Sequence, residues 1–117
     1  MKIIKQKDKK WEHSLEYYKK VLLTENDLKS KGNLFQIVKI KPGKKIKSHY
    51  HKKMKEIFYL LKGNGIIWIN NYKLRCKPGD VMLCEPKDKH GAINDTNKEL
   101  VWLVFKIDVT KNDTFWE

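Results

Sequence analysis

A single arginine, Arg75, stands among 117 residues that include 25 lysines and carry a formal net charge of +12. A nucleic-acid-binding domain of this charge is expected to use arginine, whose planar fork makes bidentate contacts to phosphates and base edges. Charge carried almost wholly by lysine points instead to a solvated surface, with a pull on small anions as a consequence. Nucleic acid is therefore not an expected partner. Cysteine is scarce as well: Cys76 and Cys84 are the only two, not spaced as a Cys-x-x-Cys pair, and are expected as reduced core residues. No apolar run approaches the ~18 residues of a membrane span. The N-terminal residues Met1 to Asp8 lack the apolar core of a secretion signal, so no membrane association and a cytoplasmic location are expected.

What is present suits one small β domain. Hydrophobic residues make up 40% of the chain, enough for a single core at this length. Short apolar segments recur between turn signals: 34–40, 57–61, 66–69, 72–76, 81–84, 90–94 and the longest, Leu100 to Ile107. Lys41-Pro42-Gly43, Lys62-Gly63-Asn64-Gly65, Asn70-Asn71 and Lys77-Pro78-Gly79-Asp80 punctuate them. Residues 11–23 fit either period and are read as extended, and residues 1–10 as a frayed end or an edge strand. Strands this short, with turns this frequent, predict an all-β sandwich or barrel.

The chemistry concentrates between Gly43 and Gly63. His49 and His51 are one residue apart, so in a strand their imidazoles share a face. Glu56 opens the apolar run Ile57-Phe58-Tyr59-Leu60-Leu61, where a carboxylate is costly unless paired or coordinating. His90, after the 81–84 segment, supplies a fourth donor. Three imidazoles and a carboxylate suit a divalent transition metal, with Mn, Fe, Co, Ni, Cu and Zn all admissible.

The spacing of these residues resembles the cupin superfamily. Its first motif reads Gly, five residues, His-x-His, three or four residues, Glu, six residues, Gly. Gly43, His49, His51, Glu56 and Gly63 match it throughout. In the second motif Gly79, His90 and Asn94 stand in register. The motif's proline is displaced to Pro86, and Lys87 and Asp88 occupy the region of its inner glycine. The resemblance implies a six- to eight-stranded jelly-roll (double-stranded β-helix) barrel spanning 1–117 as a single domain. Its motif core is 43–94, with N-terminal strands or an arm in 1–33 and a C-terminal tail at 108–117. It also implies one metal held by His49, His51, Glu56 and His90. Family activities range from dioxygenases and isomerases to storage and sensor domains, so no catalytic residue is assigned beyond the ligands.

Further expectations concern the cavity. Phe58 and Leu60 share the parity of Glu56 and should face inward; Gln36, Tyr50 and Trp102 complete the candidate lining. Eight lysines (44, 45, 47, 52, 53, 55, 87 and 89) neighbour the ligands in sequence and are expected to ring the cavity mouth. A small anionic metabolite, a sugar phosphate or carboxylate, is the expected ligand, with metal-assisted isomerisation or oxygenation as the reaction. A non-catalytic, metal-dependent binding or sensor module is the alternative. The apolar outer face of Ile57, Tyr59 and Leu61 points to a homodimer. The tail from Asp113 to Trp116 is too apolar for a linker and is expected to fold back onto the barrel or onto a partner subunit.

Overall fold

Alternation along each strand decides which side chains are buried, and turn residues decide where strands end. The computed structural model, which describes residues 1–117, contains eleven strands. They are β1 (Glu12–Ser14), β2 (Tyr17–Leu23), β3 (Leu34–Ile40), β4 (Lys45–Tyr50), β5 (Lys55–Lys62), β6 (Gly65–Ile69), β7 (Tyr72–Cys76), β8 (Val81–Cys84), β9 (His90–Ile93), β10 (Leu100–Ile107) and β11 (Phe115–Trp116). A six-stranded antiparallel sheet has the order β1-β2-β3-β10-β5-β8, and a five-stranded one the order β11-β4-β9-β6-β7. One short helix, α1 (Glu25–Leu28), is closed by a capping box between Thr24 and Asp27.

This all-β, jelly-roll-like arrangement corrects the expected architecture on three points. The two sheets are not closed into a barrel; β1 and β8 remain the edges of one, and β11 and β7 the edges of the other. The strands exceed six to eight, because short strands form at both ends of the chain. The edges are blunted by brevity in β1 and β11 and by Lys73 and Arg75 in β7. Residues 1–10 form no strand. They make a 3-10 turn at Gln6–Asp8, anchored where the buried Lys20 Nζ donates to Gln6 Oε1 at 2.7 Å and lies 4.6 Å from the Trp11 ring.

The inner faces of both sheets meet in one core. Val38, Ile40, Leu60, Trp102, Val104 and Met82 come from the larger sheet, and Ile67, Cys76 and Ala92 from the smaller. Cys76 and Cys84 are buried and free, as expected. Two features aim the motif residues. The β4–β9 register slips between Ile46, opposite Ala92, and His49, opposite His90. Such a bulge adds a residue and re-aims the side chains beyond it. Ile46 and His49 both face the space between the sheets although they are three apart, and Lys45 and Lys47 are turned to solvent. At Gly63 the backbone takes φ +85°, and a Cβ there would strike the carbonyl oxygen of Glu99, so the position admits only glycine on two counts.

The second feature is the loop before His90. Lys87, where the motif has glycine, retains the glycine-like backbone at φ +74°. Its N–H donates to the His51 carbonyl at 2.6 Å, tying the two ligand-bearing segments together. A left-handed lysine costs about 1–2 kcal/mol, against about 0.5–1 kcal/mol of extra unfolded-state entropy for glycine. Lys87→Gly is therefore expected to hold or slightly raise the melting temperature, and Lys87→Val to lower it clearly. Thermal unfolding followed by circular dichroism checks both; equal destabilisation by the two would remove backbone strain as the reason.

Candidate metal centre and its cavity

The four motif residues converge. One ligand atom each of His49, His51, Glu56 and His90 lies within 4.8 Å of all the others, and all four side chains are buried. They line a cavity of about 310 Å³ between the sheets, which suits a small metabolite.

The histidines are oriented by backbone carbonyls. His49 Nδ1 lies 2.8 Å from the Lys47 carbonyl, His51 Nδ1 2.9 Å from that of Asp113, and His90 Nδ1 2.8 Å from that of Asp88. A carbonyl can only accept, so each Nδ1 carries the hydrogen, and in a neutral ring Nε2 presents its lone pair to the cluster. Glu56 Oε1, itself an acceptor, sits 2.9 Å from His51 Nε2 and 3.1 Å from His90 Nε2. Acceptors this close need a cation between them, either a proton or a metal ion. Protons serve poorly: three imidazolium rings with centroids 4.3–5.5 Å apart would face a single carboxylate. One divalent ion takes all four donors at once, so the donor set fits such an ion.

Electrostatics follow the same geometry. Burial, reinforced by the charge of His90, takes the His49 pKa down to about 4, favouring the neutral ligand form. Burial also disfavours charge on His51, but its hydrogen bond to Glu56, the charge of that carboxylate and the Asp113 carbonyl together outweigh this and raise its pKa. Burial opposes ionisation of Glu56, yet His51, His90 and Lys106 together hold it well below the usual carboxylate range.

The candidate lining divides. Gln36, Phe58 and Trp102 line the cavity. Leu60 faces inward but is fully enclosed in the core beneath it. Tyr50 is on the opposite face of β4 from His49, with its ring stacked on Phe115 at 5.2 Å; the alternation that points His49 and His51 inward sends the residue between them out. Lys55 is turned outward by the parity of β5, and Lys45 and Lys47 border an adjoining pocket that shares Tyr17, Ile46 and Trp116 with this cavity, so none of the eight lysines expected at the mouth lines the cavity itself. Lys19 and Lys106 line it instead. Lys106 had a legible signal, as the only charge in the longest apolar run and in phase with Trp102 and Val104. Burial lowers its pKa, with the charge of Glu56 opposing and that of Lys19 adding.

The tail folds back onto its own chain and completes the site. Phe115 and Trp116 pair with Tyr50 and His49. The Trp116 ring lies 4.8 Å from His49. The Asp113 carboxylate accepts from the N–H groups of Lys52, Lys53 and Met54 at 2.9, 3.0 and 3.0 Å, which fixes the turn between His51 and Glu56. Burial works against its ionisation, but these three amides outweigh burial and lower its pKa. The motif spacing carries no sign of Asp113, because the contact joins segments about sixty residues apart.

Comparison with known proteins places these observations. Residues 36–106 match a family model described as a cupin domain. The oxalate-binding protein of Thermotoga maritima is 32% identical over 82 residues, spanning 70% of this chain and 68% of that protein. A solved structure described as a predicted oxalate decarboxylase, also from Thermotoga maritima, superposes with a TM-score of 0.85 at 24% identity, covering 92% of this chain and 100% of the other. A putative sugar phosphate isomerase from Acidithiobacillus ferrooxidans gives a TM-score of 0.65 at 24% identity, over 77% of this chain and 59% of its own. The two structural likenesses are likenesses of fold.

The Asp113 contacts predict a distant effect on the metal centre. Asp113→Ala keeps the backbone carbonyl that orients His51 but leaves the amides of Lys52, Lys53 and Met54 without their acceptor, and by loosening the turn between His51 and Glu56 should weaken metal retention by about 10- to 100-fold. Titration of the purified variant with a competing chelator measures this. Retention equal to the unsubstituted chain would show that the turn holds its shape without the tail.

Proposed function

The chain belongs to the cupin domain family, and on that footing we propose that His49, His51, Glu56 and His90 hold one divalent transition metal beside a pocket for a small anionic metabolite. The observation that carries this reading is the convergence of four buried donors whose ligand atoms all lie within 4.8 Å of one another. When bound, such an ion supplies Lewis-acid stabilisation of a substrate carbonyl or developing oxyanion. The chain's own residues orient the ligands through backbone carbonyls, exclude water with Phe58, Trp102 and Trp116, and provide positive charge from Lys19 and Lys106. Metal-assisted isomerisation or oxygenation of a carboxylate or sugar phosphate suits that combination. A second reading, metal-dependent binding without turnover, is favoured by the description of the 32% identical relative as an oxalate-binding protein.

Metal analysis of untagged protein should find close to one transition metal per chain, and His51→Ala should abolish loading while the fold persists by circular dichroism. The loaded protein should gain thermal stability with oxalate or with a sugar phosphate at low salt. Failure to load any of the six metals removes the site; loading without response to any anion removes the ligand class. Turnover of a responding anion separates the two readings.

The reading extends to a homodimer in the cytoplasm. Tyr59, Leu61, Val81 and Leu83 project apolar surface from the outer face of the larger sheet, 42–61% exposed, on β5 and the edge strand β8. A patch of this kind favours pairing of two copies. Sedimentation equilibrium should give twice the 14.0 kDa chain mass, and Leu83→Lys should return a monomer.

A further inference from the structure

We propose that Lys106, assisted by Gln36, is the anchor for a second anionic group on the ligand, so that the cavity selects short dianions over monoanions bearing the same metal-binding head. This deepens the preceding reading and rests on it.

The starting point is an asymmetry between the two sheets. His49, His51 and His90 come from the smaller sheet and the turn that leaves it, so the donors are concentrated on one wall. The facing wall of β2, β3, β10 and β5 is apolar over most of its inner surface: Val38, Phe58, Trp102 and Val104. The ligand Glu56 stands on this wall, and besides it Lys19, Gln36, Lys106 and the Tyr17 phenol interrupt the apolar surface. Lys106 is directly opposite Glu56 in the β10–β5 ladder, on the same inner face, which places the two Cβ atoms roughly 4.5–5.5 Å apart. Gln36, on β3 across the other edge of β10, is opposite Val104, one inward position along β10 from Lys106. Lys106 thus stands beside the metal donors without belonging to them.

A half-buried ammonium is costly unless something compensates it. The chain provides nothing direct: neither Lys106 nor Lys19 forms an ion pair, although Lys2, Lys39, Lys89 and Arg75 all do. Glu56, the nearest acid in the ladder, directs Oε1 to both His51 and His90. The Gln36 amide, 3% exposed, lines the same space and has no side-chain partner in the chain. A cation and an amide, both uncommitted and one step from the metal donors, form a recognition site for a carboxylate or phosphate. A 2-hydroxy acid satisfies both poles if its head reaches the four-ligand cluster and its third carbon carries the second anion. Lys19, further along the wall, raises the positive potential there.

Three probes share one head and differ only at that third carbon: D-lactate, D-malate and 3-phospho-D-glycerate. Calorimetric titration into Mn²⁺-loaded protein at low salt is expected to show malate, 3-phosphoglycerate or both binding at least about tenfold more tightly than lactate, the scale of one charge-assisted hydrogen bond. The arm with the larger gain tells whether the site takes carboxylate or phosphate. In metal-loaded Lys106→Met the preference should be erased, malate and 3-phosphoglycerate losing more affinity than lactate; Lys106→Arg should restore most of it. Equal affinity for all three probes in the unsubstituted protein overturns the proposal while leaving the metal and anion reading intact, and so does a preference that survives in Lys106→Met. A loaded protein that binds none of the three removes both.

Discussion

A buried carboxylate among three imidazoles is the constraint on which the rest of this structure depends. Glu56 lies in a strand that is otherwise apolar on its inner face, and charge there costs several kcal/mol unless it is met at close range. It is met by His51 and His90, each held by a carbonyl that fixes its tautomer. The carbonyls that orient the three histidines belong to separate segments: Lys47 in β4, Asp88 before β9 and Asp113 in the tail. The two sheets and the C-terminal residues must therefore all be in place for one carboxylate to be tolerated. The Lys87–His51 bond and the Asp113 clasp on residues 52–54 serve the same end, since each holds a ligand-bearing segment at a fixed distance from another.

The metal donors and the cationic wall divide the cavity between two kinds of chemistry. The smaller sheet and its turn present three imidazoles, and the larger sheet presents Lys19, Gln36 and Lys106 beside the Glu56 carboxylate. Trp102, Phe58 and Val104 line the space between them with apolar surface, and a low-polarity wall strengthens electrostatic attraction across it. Net charge by itself says little about this division. Most of the 25 lysines face solvent, and the two that line the cavity are remote in sequence from the histidines.

Much of the site was legible because strand geometry transmits spacing directly to space. His49 and His51 share a face, Glu56, Phe58 and Leu60 share another, and His90 falls opposite His49 across one ladder. The same rule failed where the backbone departs from regular pleating. The bulge between Ile46 and His49 cannot be read from Lys-Ile-Lys-Ser, and it leaves Lys45 and Lys47 bordering an adjoining pocket and not lining the cavity. Tyr50 follows the alternation and leaves the cavity for that reason. Leu60 faces inward as parity requires, but depth along the strand, which parity does not encode, puts it beneath the cavity. Open sheet edges were illegible for a related cause: closure depends on long-range pairing between strands, and no local pattern carries it. Lys106 is a different case, a lone charge in phase with buried neighbours, and such a residue is a stronger pointer to a cavity than the aromatic residues around it.

The tail gives the centre an order of assembly. His51 obtains its orienting carbonyl from Asp113, and the turn between His51 and Glu56 is shaped by the same residue, so the donors reach their final arrangement only after residues 113–116 have docked on β4. On a chain emerging from the ribosome these are the last residues of the domain to appear. A nascent chain would carry all four donors well before it could present them in this geometry, and tight metal capture would wait for the tail. A chain truncated before Asp113 keeps every ligand residue and loses the contacts that arrange them.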